Sequence, residues 1–392
     1  MFKNAMAIAF VAAAALAGTT SVRAEILAMM NYESKPADDL KSLKLSGDTP
    51  RREGIAIVDV DPKSPAFGRV ISDIPLSPKT VAHHIFYDRT MKKAYLTALA
   101  EPALQVIDMT QNPYRVSVLP APGCSVGEDV IFDEANKRWY LTCMGSGTVV
   151  VGDVDTDKVI GTIDLPGTNP HGLAIHSGID RILVTSTITP DLQSPQEVVS
   201  IVRASDLKPL GQIKMSDKPS PSGVAPVEIL FAPAAQTPTA IVTNMFGHSL
   251  WALEWDAGKS EFKPHAIFDF QSVGAGVPLE IYFNDAGDRM YVSTASPGHL
   301  HIFDVSGGLL QPKLLSSIAT ANGAHHVAFT KNFDLAFVQN SFLNLPKMRD
   351  GSVTVVDLKS GKIVANMDHL KNDGFNPNSI VLLPQWNALA GH

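Results

Sequence analysis

Short apolar runs, each closed by a polar turn, recur along most of the chain, and their length and β-branched content predict strands rather than helices. The clearest case is Ala324-His325-His326-Val327-Ala328-Phe329-Thr330, then the turn Lys331 to Asp334, then Leu335-Ala336-Phe337-Val338-Gln339-Asn340. The same order of a polar pair, an apolar anchor, a turn and a second apolar strand occurs seven times. The anchors are Ile85, Val130, Leu173, Ile229, Ile281, Val327 and Ile380, with spacings from 43 residues (Val130 to Leu173) to 56 (Leu173 to Ile229). That period is the length of a four-stranded blade with variable loops, so the pattern predicts an all-β, seven-bladed β-propeller.

The ends of the chain predict how the ring closes. Ile26 to Tyr32 reads as a strand, Glu33 to Glu53 as a long polar loop, and Ile55 to Asp61 and Arg69 to Ile74 as two further strands before the first complete repeat. Asn378 to Pro384 opens a repeat with no room to finish. A last blade built from the C-terminal strand and the three N-terminal ones leaves no open sheet edge. The 28 Gly and 27 Pro are dispersed at the ends of apolar runs and no linker interrupts the repeat, so residues 25–392 are expected to form a single propeller domain.

Met1 to Ala24 carries Lys3, an apolar run from Ala5 to Gly18 and small residues before a cut after Ala24, the pattern of a secretory signal peptide. The run is shorter than the roughly 18 to 20 residues that span a bilayer. An uncleaved anchor is the alternative reading; a cleaved, periplasmic or secreted protein without membrane insertion is the expectation. Cleavage removes Lys3 and Arg23 and moves the formal net charge from -7 to -9, which argues against nucleic acid and anionic lipid as partners and leaves a small-molecule substrate. In an oxidising compartment Cys124 and Cys143 read as a disulfide, as two thiols, or as a thiolate metal ligand.

Alignment on the anchors converts architecture into chemistry. The position before the anchor, on the innermost strand of each blade, reads His84, Asp129, Gly172, Glu228, Glu280, His326 and Ser379. Two places later the column is apolar: Phe86, Ile131, Ala174, Leu230, Tyr282, Ala328 and Val381. One step earlier it reads His83, Glu128, His171, Val227, Leu279, His325 and Asn378, whose Val and Leu suggest a direction partly between blades. Imidazoles and carboxylates converging on one level from different strands suit a mononuclear metal site, with His84, His326, Glu228, Glu280 and Asp129 as candidate ligands. They equally suit a solvated channel lining. His83, His171 and His325 are the candidate catalytic groups, able to move a proton beside the ligands. Ligand type leaves the metal open: imidazole suits copper, iron, zinc and nickel, while carboxylates favour harder divalent ions such as manganese or iron. Walker, zincin and c-type haem signatures are absent from the sequence.

Val58-Asp59-Val60-Asp61-Pro62-Lys63-Ser64-Pro65, followed by Val70-Ile71 and His83-His84, resembles the opening of the selenium-binding protein family, which includes the bacterial methanethiol oxidases. Ala225-Pro226-Val227-Glu228-Ile229 and Val277-Pro278-Leu279-Glu280-Ile281 are similar to that family's Pro-Leu-Glu-Ile segment, and Arg349-Asp350-Gly351-Ser352-Val353 to its last-blade Arg-Glu-Gly-Ser-Val. The resemblance implies a seven-bladed propeller and, for the oxidases, an exported copper enzyme that converts methanethiol and oxygen to formaldehyde, sulfide and peroxide. The chain departs from the family where it has Cys124-Ser125 in place of a His and Asn378-Ser379 in place of His-Glu, and His325-His326 has no counterpart. Three readings follow: a copper oxidase of a small thiol, a non-catalytic propeller binding metal, selenium or a protein partner, and a metal-dependent lactonase-type hydrolase.

Overall fold

The computed structural model describes residues 26–47, 50–216, 222–233 and 235–391, so the signal peptide expected over 1–24 lies outside the described residues. Seven four-stranded antiparallel sheets form a β-propeller. Blades 1 to 6 each use four consecutive strands, with innermost strands Ala82–Tyr87, Gly127–Phe132, Pro170–His176, Pro226–Phe231, Pro278–Phe283 and Ala324–Phe329. Blade 7 begins at the centre with Phe375–Leu382 and continues outward through Leu27–Ser34, Glu53–Asp59 and Val70–Pro75. The closure expected from the surplus terminal strands is therefore the one observed. Each innermost strand touches those of both neighbouring blades, and Phe375–Leu382 joins Ala324–Phe329 to Ala82–Tyr87.

Blade stacking explains the composition of the strands. Inner strands lie between two neighbouring blades and are apolar on both faces, whereas outermost strands such as Lys313–Ala319 alternate exposed and covered residues. Between blades 1 and 2, Phe86, Tyr95 and Leu104 pack against Val130, Phe132 and Trp139. The stretch expected as a loop between Glu33 and Glu53 instead contains the helix Ala37–Ser42, and another short helix, His369–Asn372, precedes the last strand. In the first of these only Leu40 is buried, its Cδ2 2.7 Å from where a Cβ on Gly374 would stand. A single apolar anchor in a polar segment has no period to detect.

Beyond Leu382 the chain crosses one face of the ring. Ala388 N–H donates to Phe329 O (3.0 Å), Gly391 N–H to Tyr87 O (2.9 Å), and Phe132 N–H to Gly391 O (3.3 Å), so the tail straps blade 6 to blades 1 and 2. Asn387 and Leu389 of this strap close the lower end of the central channel.

Cys124 and Cys143 form a disulfide with Cα atoms 5.2 Å apart, which removes the alternatives of free thiols and a thiolate ligand. It ties the segment before the innermost strand of blade 2 to the second strand across a separation of 19 residues. Replacing both cysteines by Ala is expected to lower unfolding free energy by about 3 kcal/mol, through the freedom restored to the unfolded chain. The measurement is the urea midpoint, and reduction of the unsubstituted protein should give a fall of similar size.

Candidate metal centre

The polar pairs owe their geometry to one irregularity repeated in six blades. In blade 1, Ala82 pairs with Ala98 and Ile85 with Leu96, so His83 and His84 together oppose the single residue Thr97. The same two-against-one bulge recurs in blades 2 to 6, before Val130, Leu173, Ile229, Ile281 and Val327. A regular strand sends successive side chains to opposite faces, and a bulge re-aims them. The residue opposite the bulge satisfies the amide that the ladder loses. Thr97, Thr142, Thr185 and Thr243 accept through Oγ1 from His84, Asp129, Gly172 and Glu228 N–H at 2.8 to 3.1 Å. Ser293 and Gln339 do so for Glu280 and His326, each at 3.2 Å.

The bulges split the earlier column, which was expected to look partly between blades, into two sets. His83, Glu128, His171 and His325 turn inward beside the residues that follow them, as their short contacts across the channel show. Val227 and Leu279 instead join an apolar cluster with Ala225, Met245, Phe342 and Met348. Gly172 leaves a gap in the inner column because blade 4 comes too close for a side chain: a Cβ there would lie 2.4 Å from Val227 O. Ser379 fills its place in blade 7 by accepting from Ile85 N–H at 3.2 Å.

Three imidazoles converge on one side of the ring. His84, His325 and His326 each present a candidate ligand atom, all within 4.8 Å of one another, and their residues are 0 to 5% exposed. Carboxylates from neighbouring blades hold two of these rings by their other nitrogen. Asp129 Oδ1 lies 2.8 Å from His84 Nδ1, and Glu280 Oε1 lies 3.2 Å from His325 Nε2, with its other oxygen 3.8 Å from His326 Nδ1. His84 Nε2 and His325 Nδ1 are buried without a hydrogen-bond partner among the described residues. Burial, reinforced by the surrounding imidazoles, holds both rings well below the usual histidine range and therefore neutral, the form that ligates metals.

The other side is richer in carboxylates. His83 Nε2 lies 3.0 Å from Glu128 Oε2, and the His83 ring stacks on His84 at 3.6 Å. His171 sits between two blades, with Nδ1 3.4 Å from Glu228 Oε1 and 3.8 Å from Asp129 Oδ2, and Nε2 3.7 Å from Glu128 Oε2. Burial would lower its pKa, but the Glu228 contact and the charges of Glu128 and Glu228 win and raise it. For Glu128, burial opposes ionisation and is outweighed by His83 and His171, leaving it below the usual carboxylate range. Burial first and the facing Glu228 second push Asp129 and Glu280 well above that range.

All eight candidate residues thus border one buried chamber: His84, His325 and His326 with Glu280 on one side, His83, His171, Asp129 and Glu228 on the other. The chamber lies inside the ring, more enclosed than a solvent-facing mouth. Beyond it Phe86, Tyr282, Ala328 and Val381 line a cavity of about 40 Å³ that reaches His326 and Glu280. Leu230, expected in the same lining, packs with the cluster between blades 4 and 5. Glu33 was missed by the alignment, since it comes from the N-terminal strand that no repeat contains. Its Oε1 accepts from Asn378 Nδ2 at 3.2 Å, and Arg51 reaches its other oxygen at 2.8 Å. The hydroxyls opposite the bulges had a legible signal, a Thr or Ser 13 residues after the inner column in blades 1, 2, 3 and 5.

No family model and no curated protein sequence matches the chain. Solved structures do match in fold. A hypothetical selenium-binding protein from Sulfolobus tokodaii superposes with a TM-score of 0.73 at 13% identity, over 93% of this chain and 95% of that one. A functionally unknown protein from Desulfotomaculum acetoxidans gives 0.63 at 16% identity, over 90% and 98%. A Bacteroides fragilis protein provisionally described as a 6-phosphogluconolactonase gives 0.59 at 12% identity, over 93% and 99%. At such identities the likeness is one of fold.

Proposed function

We propose that the chain is an exported, copper-dependent oxidase of a small thiol. The observation that carries this reading is the enclosed trio His84, His325 and His326, in which His84 Nε2 and His325 Nδ1 have no hydrogen-bond partner among the described residues while their opposite nitrogens rest on Asp129 and Glu280. A buried, unpaired imidazole nitrogen whose far side is held by a carboxylate is what a metal ligand requires, so the residues fit the metal. In this reading His325 is a ligand rather than a proton carrier, and Asp129 and Glu280 orient rather than ligate. Bound copper would supply one-electron chemistry with oxygen and acidify a coordinated thiol.

The chain's own groups supply the rest. A cavity needs about 10 to 15 Å³ to hold a single water, and about 40 Å³ beside Phe86, Tyr282, Ala328 and Val381 suits only a small molecule with an apolar end. His83, resting on Glu128, would accept and return the thiol proton. The enclosing blades exclude bulk water, and the Cys124–Cys143 disulfide supports an oxidising compartment. The reaction balances when one methanethiol, one dioxygen and one water give one formaldehyde, one hydrogen sulfide and one hydrogen peroxide. Carbon is oxidised, oxygen is reduced to peroxide, and the carbon–sulfur bond breaks with sulfide as the leaving group.

Copper-loaded protein incubated with methanethiol and oxygen is expected to yield peroxide, sulfide and formaldehyde in equal amounts. The His84→Ala/His326→Ala double variant should bind no stoichiometric copper, keep its far-ultraviolet spectrum, and give only background. Products no higher than in that variant would remove the oxidase reading and favour a metal- or selenium-binding propeller. A lactonase-type reading draws on the carboxylate-rich side of the chamber and the Bacteroides fold neighbour; lactone hydrolysis without oxygen consumption would support it.

A further inference from the structure

We infer that the chamber holds a second cation, bound by Asp129, His171 and Glu228 and distinct from the three-imidazole site. These residues come from blades 2, 3 and 4 and are 1, 6 and 1% exposed. Each offers one candidate ligand atom, all within 4.8 Å of one another.

The spacing of His171 from its two carboxylates favours a cation over hydrogen bonds. His171 Nδ1 stands 3.4 Å from Glu228 Oε1 and 3.8 Å from Asp129 Oδ2, longer than the usual 2.7 to 3.2 Å of a hydrogen bond. Two donor atoms each about 2.1 Å from one ion are separated by about 3.0 to 3.7 Å between right-angled and trigonal geometry. His171 Nδ1 and Asp129 Oδ2 are buried without a hydrogen-bond partner among the described residues, although both belong to side chains anchored elsewhere. Asp129 turns its other oxygen to His84 Nδ1 at 2.8 Å, and His171 turns Nε2 toward Glu128 at 3.7 Å. Glu128 in turn rests on His83. The side chains are thus held from behind, as ligands are.

The chemistry differs from that of the first site. Two carboxylates with one imidazole form a harder donor set than three imidazoles, and select a divalent ion such as manganese where the trio selects copper. The negative charge also explains why a cation belongs here. The ion pairs of Asp129 are with His84 and His171 alone among the described residues, and two buried carboxylates facing one imidazole from neighbouring blades call for a compensating positive charge. Asp129 touches both clusters, so the two sites share one carboxylate.

The test uses the full chain, stripped with chelator, reloaded with copper and then titrated with manganese chloride, with metal content and manganese electron paramagnetic resonance as readouts. One copper and one manganese per chain are expected, the manganese signal being that of a bound ion. Glu228→Gln should weaken manganese binding by about tenfold or more and leave copper content unchanged. His326→Ala should remove copper and leave manganese. Manganese that fails to bind, that displaces copper from a single shared site, or that is indifferent to Glu228→Gln overturns the inference. Loss of copper alone would instead count against the oxidase reading, so the two fail separately.

Discussion

Truncation before Phe375 is expected to leave no soluble, folded monomer. Phe375–Leu382 is the innermost strand of blade 7 and pairs with Leu27–Ser34 from the other end of the chain. Its Ile380 and Leu382 belong to the cluster that packs blade 7 on blade 6, and Val381 packs on the blade 7 to blade 1 side. Removing it exposes the full edge of Leu27–Ser34 inside the ring and separates blades 6 and 1, both of which it touches. An unpaired strand edge beside stripped apolar faces is an aggregation template. Size-exclusion chromatography and circular dichroism would show the loss, and a monodisperse β-rich truncation product would contradict the closure. Stopping instead after Pro384 removes only the strap, and the seven blades should then persist with the lower end of the channel open.

Glu280→Ala is expected to weaken copper binding by about 10- to 100-fold, the usual cost of losing a carboxylate behind a ligating histidine. Glu280 is the one carboxylate among the described residues that reaches two of the three imidazoles, at 3.2 Å from His325 Nε2 and 3.8 Å from His326 Nδ1. Without it, His325 loses the carboxylate that faces Nε2 while Nδ1 stays unpaired among the described residues. Glu280→Gln keeps an acceptor oxygen and should recover most of the affinity. A competition titration against a copper chelator reads the difference. Equal affinity in all three proteins would mean that Glu280 does not orient the trio; a loss in both variants would mean that its charge, or direct ligation, matters more than the oxygen that faces His325.

Much of the architecture was written locally. Each repeat announces itself through an anchor and an apolar run, because a strand packed between two blades must be apolar on both faces, and that requirement is visible wherever it occurs. The terminal surplus was equally plain, since four strands are needed per blade and the chain ends in the middle of one. The helix Ala37–Ser42 was not, because only Leu40 is buried and no apolar period marks it.

The chamber was half legible. Alignment identified which residues stand at the level of His84 and His326, since that depends only on distance from the anchor. Direction depends on pairing with the neighbouring strand, and a one-residue bulge is invisible in a strand's own pattern. His83, His171 and His325 therefore read as flanking groups, whereas the bulges place them against Glu128, Glu228 and Glu280. Thr97, Thr142, Thr185 and Ser293, which accept the displaced amides, carry this information at a fixed offset.

The sequence by itself determined the repeat, the seven blades, the closure and the list of imidazoles and carboxylates at one depth, because all of these follow from the order and spacing of residues along the chain. Only the tertiary structure decided which of them face each other, that Asp129 and Glu280 stand behind imidazoles, that Gly172 yields its place to the backbone of blade 4, and that the chamber is buried beneath a C-terminal strap. Those are distances between blades, set by how seven sheets pack around an axis, and no spacing within one repeat encodes them.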